Sequence, residues 1–254
     1  MTLNLDIRQT VEQHVALWNA HDKDAWTALW RDAVTGDITM DDPVGAPVTT
    51  GWDAFLSPWD AFNALCNIAI EALVVNGPDA AALMRNTLVT DGAPLVFPSI
   101  EIYRFNDDGS VEARFYYDVP GAEPADNASG AVRRDEIRNR MIRSHELWNA
   151  HDKNGWVALW RDAIAGDDCL LDDHATGEMH RGFDECRPDT WERFNASISF
   201  DRRALIVCGD EAAMAVDNTV RIGDDTIVTT SIETYRFGAD GSLYEQNWYE
   251  VDQP

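Results

Sequence analysis

A seven-residue string, Leu17-Trp18-Asn19-Ala20-His21-Asp22-Lys23, recurs unchanged at Leu147 to Lys153. The match continues: Ala28 to Ala33 reappears as Ala158 to Ala163, Ser99-Ile100-Glu101 as Ser231-Ile232-Glu233, and Tyr103-Arg104-Phe105 as Tyr235-Arg236-Phe237. Each copy then closes with Asp-Gly-Ser, at Asp108 to Ser110 and at Asp240 to Ser242. Matches this long, in the same order, mean an internal duplication, and two repeats of this length are domains and not solenoid units. Between them, Val119 to Gly130 has turn and linker composition with almost no bulky apolar residues. The expected organisation is therefore a first domain over 1–120, a linker over 121–131 and a second domain over 132–254.

Within one copy the apolar period changes midway. Thr10 to Ala20 carries Val11, Val15 and Trp18 at helical spacing, and a second helix carries Trp26, Leu29 and Trp30 as one stripe. A short strand over Ile38 to Asp41 runs into Asp42-Pro43-Val44-Gly45, and Trp52 to Cys66 reads as a third helix. After that, Ile68 to Val75, Ala80 to Thr90, Leu95 to Phe105 and Val111 to Val119 read as strands. Asn106 to Gly109 is the hairpin turn between the last two. Helices followed by a meander predict an α+β fold. Each of the two tandem cone-shaped domains would be a curved, mostly antiparallel sheet covered by about three N-terminal helices. A pocket between such layers is a common small-molecule site.

The charge narrows the choice of partner. With 45 acidic and 20 basic residues the net charge is −25, which repels nucleic-acid backbones and anionic membranes. No apolar run is long enough to span a bilayer. Met1 to His14 has acids and amides where a signal peptide has an apolar stretch, so a cytoplasmic location is expected. Cys66, Cys169, Cys186 and Cys208 form no Cys-x-x-Cys pair and read as free thiols.

Two features, Asp42-Pro43-Val44-Gly45 after the first strand and Asn19-Ala20-His21-Asp22 closing the first helix, resemble the ketosteroid isomerase family. That family lies within the broader group of nuclear transport factor 2-like, or SnoaL-like, domains, and the resemblance runs through nearly all of each copy. It implies what is known of ketosteroid isomerase: an aspartate base moves a proton between carbons of an unsaturated ketone, while a tyrosine and a protonated acid hold the oxyanion. By that resemblance Asp42 matches the base and Glu101 the protonated acid, here three residues before Arg104. His14 occupies the place of the family's tyrosine. In the second copy Ser144 replaces His14, Asp172-Asp173-His174-Ala175 replaces the first motif, and Asp173 and Glu233 are the matching carboxyls. The family also contains dehydratases, lyases, epoxide hydrolases and polyether-forming cyclases, and fold alone does not choose among them.

The residues themselves fit these roles. A carboxylate in an apolar pocket has a raised pKa, which suits a base for a weakly acidic carbon. Strand alternation places Glu101, Tyr103 and Phe105 on one face, where a buried acid stays protonated and donates a hydrogen bond. The expected catalytic residues are Asp42, Glu101 and His14, with Asp173 and Glu233 in the second copy. Trp18, Trp52, Trp59, Tyr103, Tyr116, Trp148, Tyr235 and Trp248 are expected to contact substrate. The substrate is expected to be small, hydrophobic and ring-containing. No organic cofactor is expected, and the Asp173, His174, His180 grouping matches no familiar metal motif. The two copies are expected to pack as an intrachain pseudo-dimer, with further homo-oligomers possible. A non-catalytic binding protein is the alternative to an enzyme.

Overall fold

The computed structural model describes residues 6–120 and 128–250, with the side chains of 128–131 outside that description. The chain divides into two compact units, Met1–Glu123 and Pro124–Pro254.

In the first unit, α1 (Ile7–Asn19) and α2 (Lys23–Ala33) lead into β1 (Ile38–Asp41), β2 (Thr49–Thr50) and α3 (Trp52–Phe62). The strands β3 (Cys66–Asn76), β4 (Asp79–Leu88), β5 (Leu95–Phe105) and β6 (Val111–Tyr117) follow. Both first helices start on an aspartate. Asp6 accepts from the Gln9 amide at 2.9 Å and Asp22 from the Ala25 amide at 3.0 Å, filling donors that a helix N-terminus leaves open. The connection between them needs a left-handed residue, His21 at φ 56°, whose Nδ1 lies 2.7 Å from Asn63 Oδ1. Asn63 in turn donates to the Trp18 carbonyl at 2.7 Å. That bond ends α3 at Phe62, four residues short of the expected Cys66, which instead opens β3.

The six strands form one mixed sheet in the order β2-β1-β6-β5-β4-β3. Only the β1–β6 pair is parallel; Asp41 pairs with Arg114 at its end. The β5–β6 hairpin turns at Asn106 to Gly109, with Gly109 at φ 82°. Asp108 Oδ1 accepts from the Ser110 amide at 2.9 Å and from its hydroxyl at 2.6 Å. Asp240 does the same for Ser242 at 3.0 and 2.7 Å, which is the physical content of the repeated Asp-Gly-Ser.

The second unit repeats the plan with α4 (Ala128–Asn149), α5 (Lys153–Ala163), β7 (Cys169–Asp173) and β8 (Glu178–Arg181). A π-helical turn (Glu185–Asp189), α6 (Thr190–Phe194), β9 (Ile198–Cys208), β10 (Glu211–Ile222), β11 (Asp225–Phe237) and β12 (Leu243–Tyr249) complete it. Its sheet order, β8-β7-β12-β11-β10-β9, is the same order with the strands renumbered. Of the expected linker, residues 121–127 lie outside the described residues, and α4 already begins at Ala128. No helix among the described residues is long and apolar enough to cross a membrane.

Each unit has its own core between helices and sheet. Val11, Trp30, Ala80, Ala82 and Met84 are buried in the first, and Met141, Trp160, Ala212, Met214 and Val216 in the second. Small alanines on the central strands let the tryptophans of the helices approach the sheet closely. The cavities open beside these clusters.

Candidate active site and its counterpart in the second unit

The first unit encloses a cavity of about 340 Å³, walled by α1, α2, α3 and the inner faces of β3 to β6. Its surface is overwhelmingly apolar, with Trp18, Trp26, Phe55, Phe97 and Phe115 among the lining side chains. Asp42, Glu101 and His14 all reach it, so the three candidates from separate parts of the chain converge on one hollow.

Glu101 is buried in the middle of β5. Tyr103 donates to its Oε2 at 2.6 Å and Ser99 to its Oε1 at 3.3 Å, while Asn86 supports the serine hydroxyl from β4 at 2.9 Å. Burial pushes this carboxyl up to about 7, against the two hydrogen bonds, and the nearby Asp42 adds to the rise. Burial also raises Asp42, with a smaller contribution from Asp41, while a hydrogen bond from Tyr117 opposes it. Asp42 stands just beyond β1, before a cis Asp42–Pro43 bond. The Val44 amide then bonds the Phe115 carbonyl at 2.9 Å, holding the loop against β6.

His14 is fixed by an arrangement that periodicity alone does not reveal. Its Nδ1 lies 2.9 Å from Trp26 Nε1 and 3.0 Å from Trp30 Nε1. An indole nitrogen only donates, so Nδ1 accepts twice and the ring is neutral with its proton on Nε2. Burial agrees, holding the ring's pKa down to about 4. His14 therefore presents an N–H donor to a cavity that it lines.

The second unit has a cavity of about 480 Å³ in the corresponding place. The carboxyl system on its central strand is the same: Tyr235 donates to Glu233 Oε2 at 2.6 Å, Ser231 to Oε1 at 3.0 Å, and Asn218 to the serine at 2.9 Å. Glu233 also rises to about 7, through burial first and Glu245 second. Ser144 takes the place of His14 and accepts from Trp156 at 3.0 Å and Trp160 at 3.2 Å. Asp173 is bound on every side. Tyr249 donates to its Oδ2 at 2.7 Å, and the amides of Ala175 and Thr176 to its Oδ1 at 3.1 and 3.2 Å.

Of the expected substrate contacts, Trp18, Tyr103, Trp148 and Tyr235 line the cavities, and four others do not. Trp52 lies to the side with the Arg31 guanidinium 3.7 Å over its ring. Trp59 packs edge-on against Trp18 at 5.1 Å, inside the core. Tyr116 and Trp248 are fully buried on the opposite face of their sheets, because their neighbours Phe115, Tyr117, Asn247 and Tyr249 take the cavity side. His174 stacks on Trp248 at 4.6 Å, whereas His180 lines the second cavity.

Tyr117 and Ser99 also line the first cavity, and Tyr249 and Ser231 the second. All four sit at matching places in the repeat, and the serines lie two residues before the acid, on the same strand face. Arg187 and Glu245 also line the second cavity, and the matching places in the first copy carry no charge.

Residues 11–113 match the SnoaL-like domain family. That match falls within the first unit, and the second unit repeats the first's strand order and Ser-Glu-Tyr carboxyl system. No curated protein matches the sequence significantly. Similar solved structures include the epoxide hydrolase/cyclase-like enzyme SalBIII of pyran ring formation in the polyether salinomycin. It is 17% identical, with a TM-score of 0.37, and the match covers 44% of this chain and 89% of that one. A hypothetical protein from Catenulispora acidiphila DSM 44928 with a ketosteroid isomerase-like fold, in complex with trimethylamine, is 15% identical with a TM-score of 0.37. That match covers 44% of this chain and 85% of that one. Bal32a from a soil-derived mobile gene cassette is 10% identical with a TM-score of 0.39, covering 46% of this chain and 91% of that one.

Proposed function

We propose that the first cavity is the active site of a cofactor-independent acid–base enzyme acting on a small, neutral, hydrophobic molecule with one oxygen function. The observation that carries this reading is the pairing of two carboxyl groups in one apolar hollow, both pushed toward protonation by burial, with Glu101 fully enclosed and lifted to about 7. Groups in a shared site whose pKa values are held apart divide into a base and an acid.

Asp42 is the base. It takes a proton from a carbon beside a carbonyl, and the electron pair moves onto the carbonyl oxygen. Glu101, protonated near neutral pH, donates to that oxygen through Oε1, the oxygen it shares only loosely with Ser99. The Nε2 proton of His14 adds a second donor. Asp42 then returns its proton to a carbon further along, and the double bond has migrated with no net gain or loss of atoms. The cavity's aromatic wall orients the ring of the substrate and excludes water.

The same pair of acids also fits a second reaction, because Asp42 lies close enough to Glu101 to help raise it. A protonated Glu101 pulling on an epoxide or hydroxyl oxygen, with Asp42 activating the nucleophile or removing a proton, gives ring opening, cyclisation or dehydration. Ultraviolet absorbance separates the readings. Conversion of a β,γ-unsaturated cyclic ketone to its conjugated isomer, abolished in Asp42→Asn, supports isomerisation. Turnover of an epoxide with none of the ketone supports the second reading. A cavity that binds both compounds and converts neither leaves a binding protein.

A further inference from the structure

The two cavities share their carboxyl system but not their walls. Matching strand registers and tryptophan contacts align Phe55 with Arg187, Phe97 with Thr229, Phe115 with Asn247, and Ala113 with Glu245. Three phenylalanines of the first wall are thus an arginine, a threonine and an asparagine in the second. Arg187 is the most consequential change. It is 2% exposed, its Nη2 lies 2.6 Å from Glu245 Oε2, and its guanidinium sits 4.2 Å over the Trp160 ring. The replacements come as a set: the arginine arrives with the glutamate that neutralises it.

We propose that the second cavity is a separate binding site for a neutral molecule rich in hydroxyl or carbonyl groups, such as a polyhydroxylated ring, and that it rejects the hydrocarbon-like ligand of the first. Its buried acids and its buried arginine are matched among themselves, while Arg193 and Glu250 in the lining are exposed to solvent. Arg187 pairs with Glu245, Glu233 is held by Ser231 and Tyr235, and Asp173 by Tyr249 and two amides. An ionic ligand therefore finds no uncompensated carboxylate or guanidinium in the buried part of the site, whereas hydrogen-bonding groups abound. Thr176, Thr190, Thr229 and Asn247 bring hydroxyl and amide groups to the lining. An apolar ligand covering such groups would strip their water and offer no hydrogen bond in return. Trp148 and Trp156 supply flat apolar surface for the carbon face of a ring. The proposal does not depend on the chemistry assigned to the first unit.

The ten tryptophans of the chain give the readout. Indole N–H signals of the full-length protein are assigned by Trp→Phe substitution and followed by heteronuclear NMR during titration with methyl glucoside and, separately, with cyclohexanone. The glucoside is expected to move Trp148 and Trp156 and leave Trp18 and Trp26 in place, and cyclohexanone to do the reverse. Thr229→Phe with Asn247→Phe, which restores the wall of the first cavity, should weaken glucoside binding by about tenfold or more, the scale of a lost buried hydrogen bond. The near-isosteric Thr229→Val serves the same purpose should the double variant fail to fold. The proposal is overturned if the glucoside moves neither set, if cyclohexanone moves both sets alike, or if a folded wall variant binds the glucoside unchanged.

Discussion

The phenol of Tyr103 donates to Oε2 of Glu101 at 2.6 Å, from two residues along the same strand face. This bond favours the charged carboxylate and so opposes the burial that lifts Glu101 to about 7. Tyr103→Phe removes that opposition. The alkaline limb of the activity profile, set by loss of the Glu101 proton, is expected to move above pH 7 in this variant and to disappear in Glu101→Gln. A profile identical to wild type in both variants would remove Glu101 from the mechanism.

Asp42→Asn keeps the shape of the wall but removes the base. Turnover is expected to fall by about 10²–10⁴-fold, with ligand affinity within a few fold of wild type. Steady-state kinetics together with direct binding measurements check both halves. Loss of binding together with turnover would mark Asp42 as a contact and not a base.

His14 has a structural duty besides any chemical one, since two indole N–H groups end on its Nδ1. His14→Leu leaves both buried donors unpaired and is expected to cost about 1–3 kcal/mol for each. His14→Ser imports the solution of the second unit, where Ser144 accepts from Trp156 and Trp160. It should recover much of that stability. Denaturant titration of the two variants gives the comparison, and equal destabilisation would contradict it.

In the second unit, Arg187→Met alone strands the Glu245 carboxylate in the interior and is expected to destabilise by about 3–5 kcal/mol. Removing both charges as Arg187→Phe with Glu245→Ala, the pair found at Phe55 and Ala113, should be neutral or stabilising by about 1–4 kcal/mol. Thermal unfolding of both variants reads the difference. A double variant as unstable as the single one would show that the pair is more than a charge and its neutraliser.

Stability should also depend on pH through the buried acids. Glu101 and Glu233 ionise near 7 when folded and near the ordinary 4.5 when unfolded. Their contribution is therefore full below about 4.5 and lost as pH rises to about 7, on the order of 3 kcal/mol each. His14 acts in the opposite sense. Its folded value of about 4 against 6.5 means its contribution is present above 6.5 and lost as pH falls through 4. Glu101→Gln with Glu233→Gln should flatten the loss between 4.5 and 7, as followed by urea unfolding across that range.

Much of this site was legible in the sequence because it rests on local rules. The repeated strings located both copies, alternation put Glu101 and Tyr103 on one face, and helical spacing turned His14 inward beside Trp18. Tyr116 and Trp248 stand a single step of strand parity from the cavity side. Both sheet faces are buried there, so an aromatic residue on either side looks equally like a cavity wall. Trp52 and Trp59 follow the Asp42 loop on the third helix, and that position alone does not say which way an indole turns. In the structure, tertiary bonds at Asn63 end the helix and Trp59 is consumed by Trp18. Arg187 and Glu245 lie 58 residues apart, and only the fold brings their charges together. A pairing across that distance leaves no periodicity to find.

The central claim is that burial keeps Glu101 protonated beside a working Asp42, and carbon-detected NMR of the glutamate carboxyls tests it without any substrate. In the full-length protein, with Glu101→Gln and Glu233→Gln for assignment, the Glu101 resonance is expected to titrate near pH 7 and to shift lower in Asp42→Asn. A Glu101 carboxyl that titrates near 4.5, unmoved by the state of Asp42, would contradict the account.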